Sequence, residues 1–87
     1  MHPDNYRLIN VSLKANAVAQ ILAAQLRLQP GYGIAAYLGL NENYTNMGAL
    51  RLWVHHKLET QPPEYNTVTA LKGAFIACFP ADIQSSI

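Results

Sequence analysis

The stretch that decides the fold is LKANAVAQILAAQLRL, residues 13–28. Its apolar residues recur at spacings of three and four, the repeat of an α-helix, and they do so on two sides at once. The first side, which we call the Leu13 stripe, consists of Leu13, Ala17, Ile21, Ala24 and Leu28. The second side, the Ala15 stripe, consists of Ala15, Ala19, Leu22 and Leu26. We expect a helix from about Ser12 to Leu28 that packs on both sides within a bundle; the alternative is that one stripe is an oligomer or partner surface.

Proline and glycine divide the rest of the chain into shorter helical pieces. The first helix should end before Gln29-Pro30-Gly31, because proline pushes the preceding residue out of helical geometry. Gly39 tolerates the positive φ that ends many helices. The predicted pieces are roughly Tyr32–Leu40, about Asn46 to Thr60 with Thr45 or Asn46 as its cap, a helix capped by Asn66 or Thr67 and stopped by Pro80, and Ala81–Ser86. Residues 34–40 could also form a short strand. Their candidate core residues are Met47, Leu50, Trp53, Val54, Leu58, Val68, Leu71, Phe75 and Phe79.

These patterns predict an all-α fold, a small bundle of four to six short helices. Eighty-seven residues suffice for one hydrophobic core, so residues 1–87 form a single domain. An α+β alternative stays open at the N-terminus. Ile9, Val11 and Leu13 alternate with polar residues there, which is typical of a strand and would place one near residues 6–13.

The composition argues against nucleic-acid and membrane partners. Charged residues make up 13% of the chain, about half the usual share, and the net charge is only +1. The charges are dispersed, whereas nucleic-acid binding favours a clustered basic stripe. The longest weakly polar stretch, Ala17–Leu28, is too short and too often interrupted to span a bilayer. We therefore expect a cytoplasmic protein that binds no membrane, with nucleic acid an unlikely partner.

The titratable residues do not form a pattern typical of catalysis. Adjacent positions on a helix point about 100° apart, so His55 and His56 cannot bind one metal ion together. Ser12 lies near the predicted start of the first helix, and no nucleophile-elbow motif surrounds it. We expect no enzyme activity, no metal or other cofactor and no small-molecule substrate.

Candidate partner-binding residues come from one polar helix edge and from the aromatic residues. Arg51, His55 and Glu59 lie four apart, an arrangement typical of an ion-paired, solvated face. Five tyrosines are many for 87 residues, and tyrosine is enriched where proteins meet, although half-buried tyrosines also close small cores. The residues assigned to partner binding are Tyr37, Tyr44, Arg51, His55, Lys57, Glu59 and Lys72. The leading hypothesis is a protein-protein interaction module that assembles with itself or with a helical partner.

The alternative is a small bacterial or phage regulatory protein that binds DNA or inhibits a host protein. Two predicted helices flank an asparagine-rich turn at residues 41–46, as in a helix-turn-helix. Recognition helices usually read bases with their N-terminal residues, and here that end is Met47-Gly48-Ala49-Leu50. The pattern therefore favours a protein partner over DNA.

From Tyr32 onward the order of these segments resembles the death-domain superfamily. Residues 34–40, IAAYLGL, look like the second helix of that family, and residues 49–53, ALRLW, are similar to its fourth. Residues 66–75, NTVTALKGAF, followed by Ala81-Asp82-Ile83, look like its fifth and sixth helices. The resemblance implies a six-helix interaction module, homotypic association as an adaptor in signalling scaffolds, and no cofactor.

Overall fold

The computed structural model describes residues 3–60 and 67–84 and shows an all-α protein, as the sequence predicts. Its helices are Pro3–Leu26 (α1), Asn46–Thr60 (α2), Val68–Ala77 (α3) and Ala81–Gln84 (α4). α1 packs mainly against α2 and makes a smaller contact with α3. The candidate cap Asn66 and the predicted end of the last helix at Ser86 lie outside the described residues.

α1 begins earlier than the sequence predicts. It starts at Pro3, and proline suits the first turn of a helix because its missing N–H needs no partner there. Residues 6–13 are therefore helical, and the α+β alternative with a strand in this segment is wrong. Alternation alone does not make a strand, which also needs a neighbouring strand edge. In the described residues the only β-type pairing is one isolated bridge between Tyr32 and Thr45.

α1 ends at Leu26 through a left-handed residue. Arg27 has a φ of 53°, although it is not a glycine. Its N–H donates to the carbonyl oxygen of Ala24 at 3.2 Å, and the N–H of Leu28 donates to that of Ala23 at 2.9 Å. These two bonds form the Schellman motif, which satisfies the last carbonyl groups of a helix. The turn comes just before Gln29-Pro30-Gly31, as predicted.

The helix predicted over Tyr32–Leu40 is wrong. Residues 34–40 form overlapping turns that complete only about one helical turn. Gly39 has a φ of 75°, and the N–H of Leu40 donates to the carbonyl oxygen of Ala35 at 2.8 Å, which closes the segment in a second Schellman motif. Glycines on both sides leave too few residues to offset the cost of starting a helix.

α2 and α3 confirm the predicted pieces, including their caps. α2 spans Asn46–Thr60, and the Thr45 hydroxyl accepts from the Gly48 N–H at 3.2 Å. The Thr67 hydroxyl accepts from the Ala70 N–H at 3.1 Å at the start of α3. Each threonine satisfies one of the N–H groups that a helix start leaves without an internal partner.

The core lies between α1 and α2 and is closed by the rings of Phe75 in α3 and of Phe79, which follows α3. Ala15 and Ala19 are fully buried, and such small side chains let two helices approach closely. Phe75 packs edge-on against Trp53, with ring centroids 5.7 Å apart, and Phe79 lies 4.9 Å from Phe75. The core residues are Ala15, Val18, Ala19, Leu22, Ala23, Ile34, Ala35, Ala49, Leu50, Trp53, Val54, Leu58, Leu71, Phe75 and Phe79.

Asn46 fixes the connection between α1 and α2. Its buried side chain accepts a hydrogen bond from the Ile34 N–H at 3.0 Å and donates one to the carbonyl oxygen of Gln29 at 2.7 Å. Its own N–H donates to the carbonyl oxygen of Gly31 at 2.8 Å. One residue thus satisfies backbone groups at three points of the loop that have no helical or strand partner.

Candidate interaction surface

The two apolar stripes of α1 face opposite surroundings. In the Ala15 stripe, Ala15, Ala19 and Leu22 are fully buried. In the Leu13 stripe, Leu13 is 67% exposed and Ile21 is 46% exposed. The expectation that this helix packs on both sides is therefore wrong, because α2 and α3 cover one side only. The geometry is that of the alternative, in which one stripe remains accessible.

The accessible part of the Leu13 stripe is continuous along about three helical turns. Ala17 and Ala24 are also exposed and lie between and beyond the two large side chains on the same face. Leu28 is half-buried, since the chain turns at Arg27. Single exposed apolar residues are ordinary on protein surfaces, whereas an apolar row on one helix face is a surface to which another chain can pack.

A shallow groove between α1 and α2 borders one flank of this stripe. Ala15, Asn16 and Leu52 line it, together with Arg51 and His55 from the predicted polar edge. Leu52 is 38% exposed and adds an apolar side chain to the groove. The groove therefore joins polar groups of α2 to the helix that carries the exposed stripe.

Ser12, His55 and Glu59 form a chain of polar contacts across this groove. The His55 Nε2 atom lies 3.2 Å from the Ser12 hydroxyl oxygen, and its Nδ1 atom lies 3.4 Å from a Glu59 carboxylate oxygen. The Ser12 contact is not predictable from the sequence pattern, because Ser12 lies near the predicted start of the first helix and is 43 positions from His55. All three side chains are partly exposed, so water competes for each bond and the chain acts as a modest tether between α1 and α2.

The other predicted partner-binding residues lie at separate places. Lys57 lies on a different face of α2 from His55, and its Nζ atom is 5.7 Å from the centre of the Trp53 ring. Tyr37 packs against Phe79 at the far end of the core, with ring centroids 5.1 Å apart. The predicted set therefore does not form one patch.

Tyr44 and Lys72 complete the predicted set. Tyr44 is 42% exposed and lies beside Gly48 at the start of α2. Lys72 is half-buried on α3. Both side chains are accessible in part, and neither lies on α1, so their role in binding stays a prediction.

Two further features bear on the kind of site. Within residues 3–60 and 67–84, no group of three histidine, cysteine or acidic side chains has the geometry to hold a metal ion. In the same part of the chain, no helix combines the length and the apolar character that crossing a bilayer requires.

Comparison with known proteins gives no match: no family model fits the chain, and neither a curated protein nor a solved structure is significantly similar to it.

Proposed function

We propose that this protein is a helical interaction module that binds another protein chain through the Leu13 stripe. The observation that supports this most strongly is the exposure of Leu13 and Ile21 on one continuous apolar face. A surface helix normally turns its polar side to water. Covering Leu13, Ile21 and the alanines between them would remove apolar area from water, which favours association.

The groove beside the stripe supplies the polar rim that protein interfaces commonly have. Arg51, His55 and Glu59 line up along α2 on that flank. Their partial exposure suits a rim, where charge-charge contacts contribute more to partner choice than to affinity. The three residues were predicted to bind a partner, and in this proposal they lie at the edge of the contact.

The death-domain resemblance implies the same class of function, homotypic association in signalling scaffolds without a cofactor. Residues 34–40, which resemble the second helix of that family, form turns here, so the resemblance depends on α2, α3 and α4. We therefore propose that the protein acts as a cytoplasmic adaptor. DNA binding has less support, since Asn46, at the N-terminal end of the candidate recognition helix, is buried and bonded to Gln29 and Ile34.

Site-specific photo-crosslinking tests the proposal. A benzophenone amino acid replaces Leu13 in one variant and Ile21 in a second, and each is irradiated in an extract of cells that make the protein. Both positions are exposed, so the fold should tolerate the probe. We expect the same crosslinked protein, either a second copy or a foreign chain, from both positions.

A matched control uses the same probe at Glu42, an exposed residue outside α1. A second control places the probe at position 13 together with Ile21→Gln, which should remove most of the crosslinked product. Equal crosslinking from positions 13, 21 and 42, or no effect of Ile21→Gln, would mean that the stripe is not a binding surface.

A further inference from the structure

We infer that the occupant of the Leu13 stripe is the same stripe of a second copy, with the two α1 helices antiparallel; this rests on the proposed function. The order of side-chain sizes along the stripe supports this pairing. Along its accessible part, which excludes the half-buried Leu28 beyond the end of α1, the large residues Leu13 and Ile21 alternate with the small residues Ala17 and Ala24. Such an alternation is complementary to itself in only one direction.

An antiparallel pair opposes large to small in every layer. When a two-fold axis relates the helices, a residue near the start of one stripe faces a residue near the end of the other. In an antiparallel pair, residues face each other when their numbers add to nearly the same total. Leu13 and Ala24 add to 37, and Ala17 and Ile21 add to 38. Leu13 therefore faces Ala24 of the second copy, and Ala17 faces Ile21. Each layer holds one large and one small side chain, so the helix axes can keep a constant separation.

A parallel pair lacks this property. It would set Leu13 against Leu13 and Ala17 against Ala17, so wide layers would alternate with empty ones. The separation of packed helices, about 8–10 Å, depends on the side chains between them, and a layer of two alanines held apart by leucines would leave a void. The size pattern therefore selects the antiparallel arrangement.

The polar residues beside the stripe are compatible with this pairing. No charged residue belongs to the stripe itself. On one flank the pairing brings Lys14 near Gln25 of the second copy, and on the other flank Gln20 comes near Asn16. No like charges oppose each other, and side-chain amides can bond across both flanks.

The small area of the contact between the two α1 helices predicts a weak affinity for the dimer. The four paired residues extend over about 16 Å of helix. Such a contact buries less than the roughly 800 Å² per partner that stable complexes use. We therefore expect a weak dimer with a Kd on the order of 100 µM, which raising the local concentration, as in a larger assembly, would populate.

Disulfide trapping tests both the partner and the direction. Leu13→Cys and Ala24→Cys are made separately in a Cys78→Ala background, so that the native free thiol cannot react. The two proteins are mixed in equal amounts, oxidised, and the products weighed as intact masses, which differ for the three possible pairs. Circular dichroism verifies that each variant is folded, as expected for substitutions at two exposed positions.

The antiparallel dimer predicts that the 13–24 disulfide exceeds half of the product. In that dimer two copies of residue 13 lie about 16 Å apart along the axis, far beyond the roughly 7 Å between Cα atoms that a disulfide can bridge. The same mixture oxidised in guanidinium chloride supplies the random ratio of one to two to one.

Two results would overturn the inference. Enrichment of the 13–13 and 24–24 products would show a parallel pair, and a random ratio under native conditions would show that no such dimer forms. In either case, crosslinking of positions 13 and 21 to a foreign protein would leave the proposed function standing, so the two failures can be told apart.

Discussion

The Leu13 stripe and the Ala15 stripe lie along one helix and both consist of alanine and large aliphatic residues, yet one faces water and the other the core. Ile21 and Leu22 illustrate this, since they are neighbours in the chain and are 46% and 0% exposed. The difference comes from α2 and α3, which cover one side of α1. Burial of an apolar stripe is thus decided by what the rest of the chain can bring against it, and a stripe left over is available to another molecule.

The largest expected effect is the difference in stability between alanine substitutions at Leu22 and at Ile21. Leu22→Ala should lower the free energy of unfolding by about 3 kcal/mol, because it leaves a cavity in a fully buried site. Ile21→Ala should lower it by less than about 1 kcal/mol, since half of the side chain is already in water and alanine favours the helix. Urea unfolding followed by circular dichroism measures both. Equal losses would mean that the two stripes are not differently buried.

The next largest effect is expected from loss of the hydrogen bonds that Asn46 makes in the loop between α1 and α2, outside both stripes. Asn46→Ala leaves the carbonyl oxygen of Gln29 and the N–H of Ile34 without their partner, at a cost of about 2 kcal/mol. Asn41→Ala is the matched control, because the Asn41 side chain accepts only one exposed bond, from the Asn43 N–H. We expect it to lower stability by less than about 1 kcal/mol. A smaller loss for Asn46→Ala than for Asn41→Ala in thermal unfolding would refute the role given to Asn46.

Substitutions at the two residues with a positive φ, Arg27 and Gly39, should change the free energy of unfolding in opposite directions. Arg27→Gly should raise the free energy of unfolding by up to about 1 kcal/mol, because glycine adopts a φ of 53° without strain. Gly39→Ala should lower it by about 1 kcal/mol, since its φ is 75° and no neighbouring atom adds a steric cost. Denaturant midpoints of the two variants provide the measurement. A stabilising Gly39→Ala would contradict the turn geometry.

The smallest expected effect concerns the polar tether between the helices. Ser12→Ala and His55→Ala should each lower stability by less than about 1 kcal/mol, because the bonded groups are partly exposed. The double variant should lose less than the sum of the two single losses, since both remove the same contact. Strictly additive losses in this double-mutant cycle would show that Ser12 and His55 do not interact in solution.

The helices that carry their own end signals were predictable from the sequence. Thr67 as a cap and Pro80 as a stop define α3, and the apolar spacing of residues 46–60 defines α2. The segment 32–40 was mispredicted because its apolar residues suggest a helix, while the glycines around it reduce it to a turn. The start of α1 was mispredicted because the polar and apolar residues of 6–13 alternate like a strand, and local alternation carries no information about whether a strand partner exists.

The candidate site was predictable in its elements but not in its position. The sequence shows both stripes of α1, and helical periodicity places them on opposite sides. It does not show which side α2 will cover, because that depends on contacts between residues far apart in the chain. The contact of His55 with Ser12 was not predictable for the same reason, since these residues are also far apart in the chain. The alignment of Arg51, His55 and Glu59 along one edge of α2 could be predicted from their spacing of four residues.

Sedimentation equilibrium of the wild-type chain and of Leu13→Gln/Ile21→Gln tests most directly whether the exposed Leu13 stripe of α1 binds a second copy of the chain. Over concentrations rising to about 1 mM, well above the expected Kd, the wild-type mass should climb from 9.6 kDa towards twice that value. The double variant should stay at 9.6 kDa, and the control Tyr32→Gln, which removes an exposed apolar side chain elsewhere, should behave like the wild type. A wild-type mass that remains at 9.6 kDa throughout, or association that survives in the double variant, would show that the Leu13 stripe does not bind a second copy of the chain.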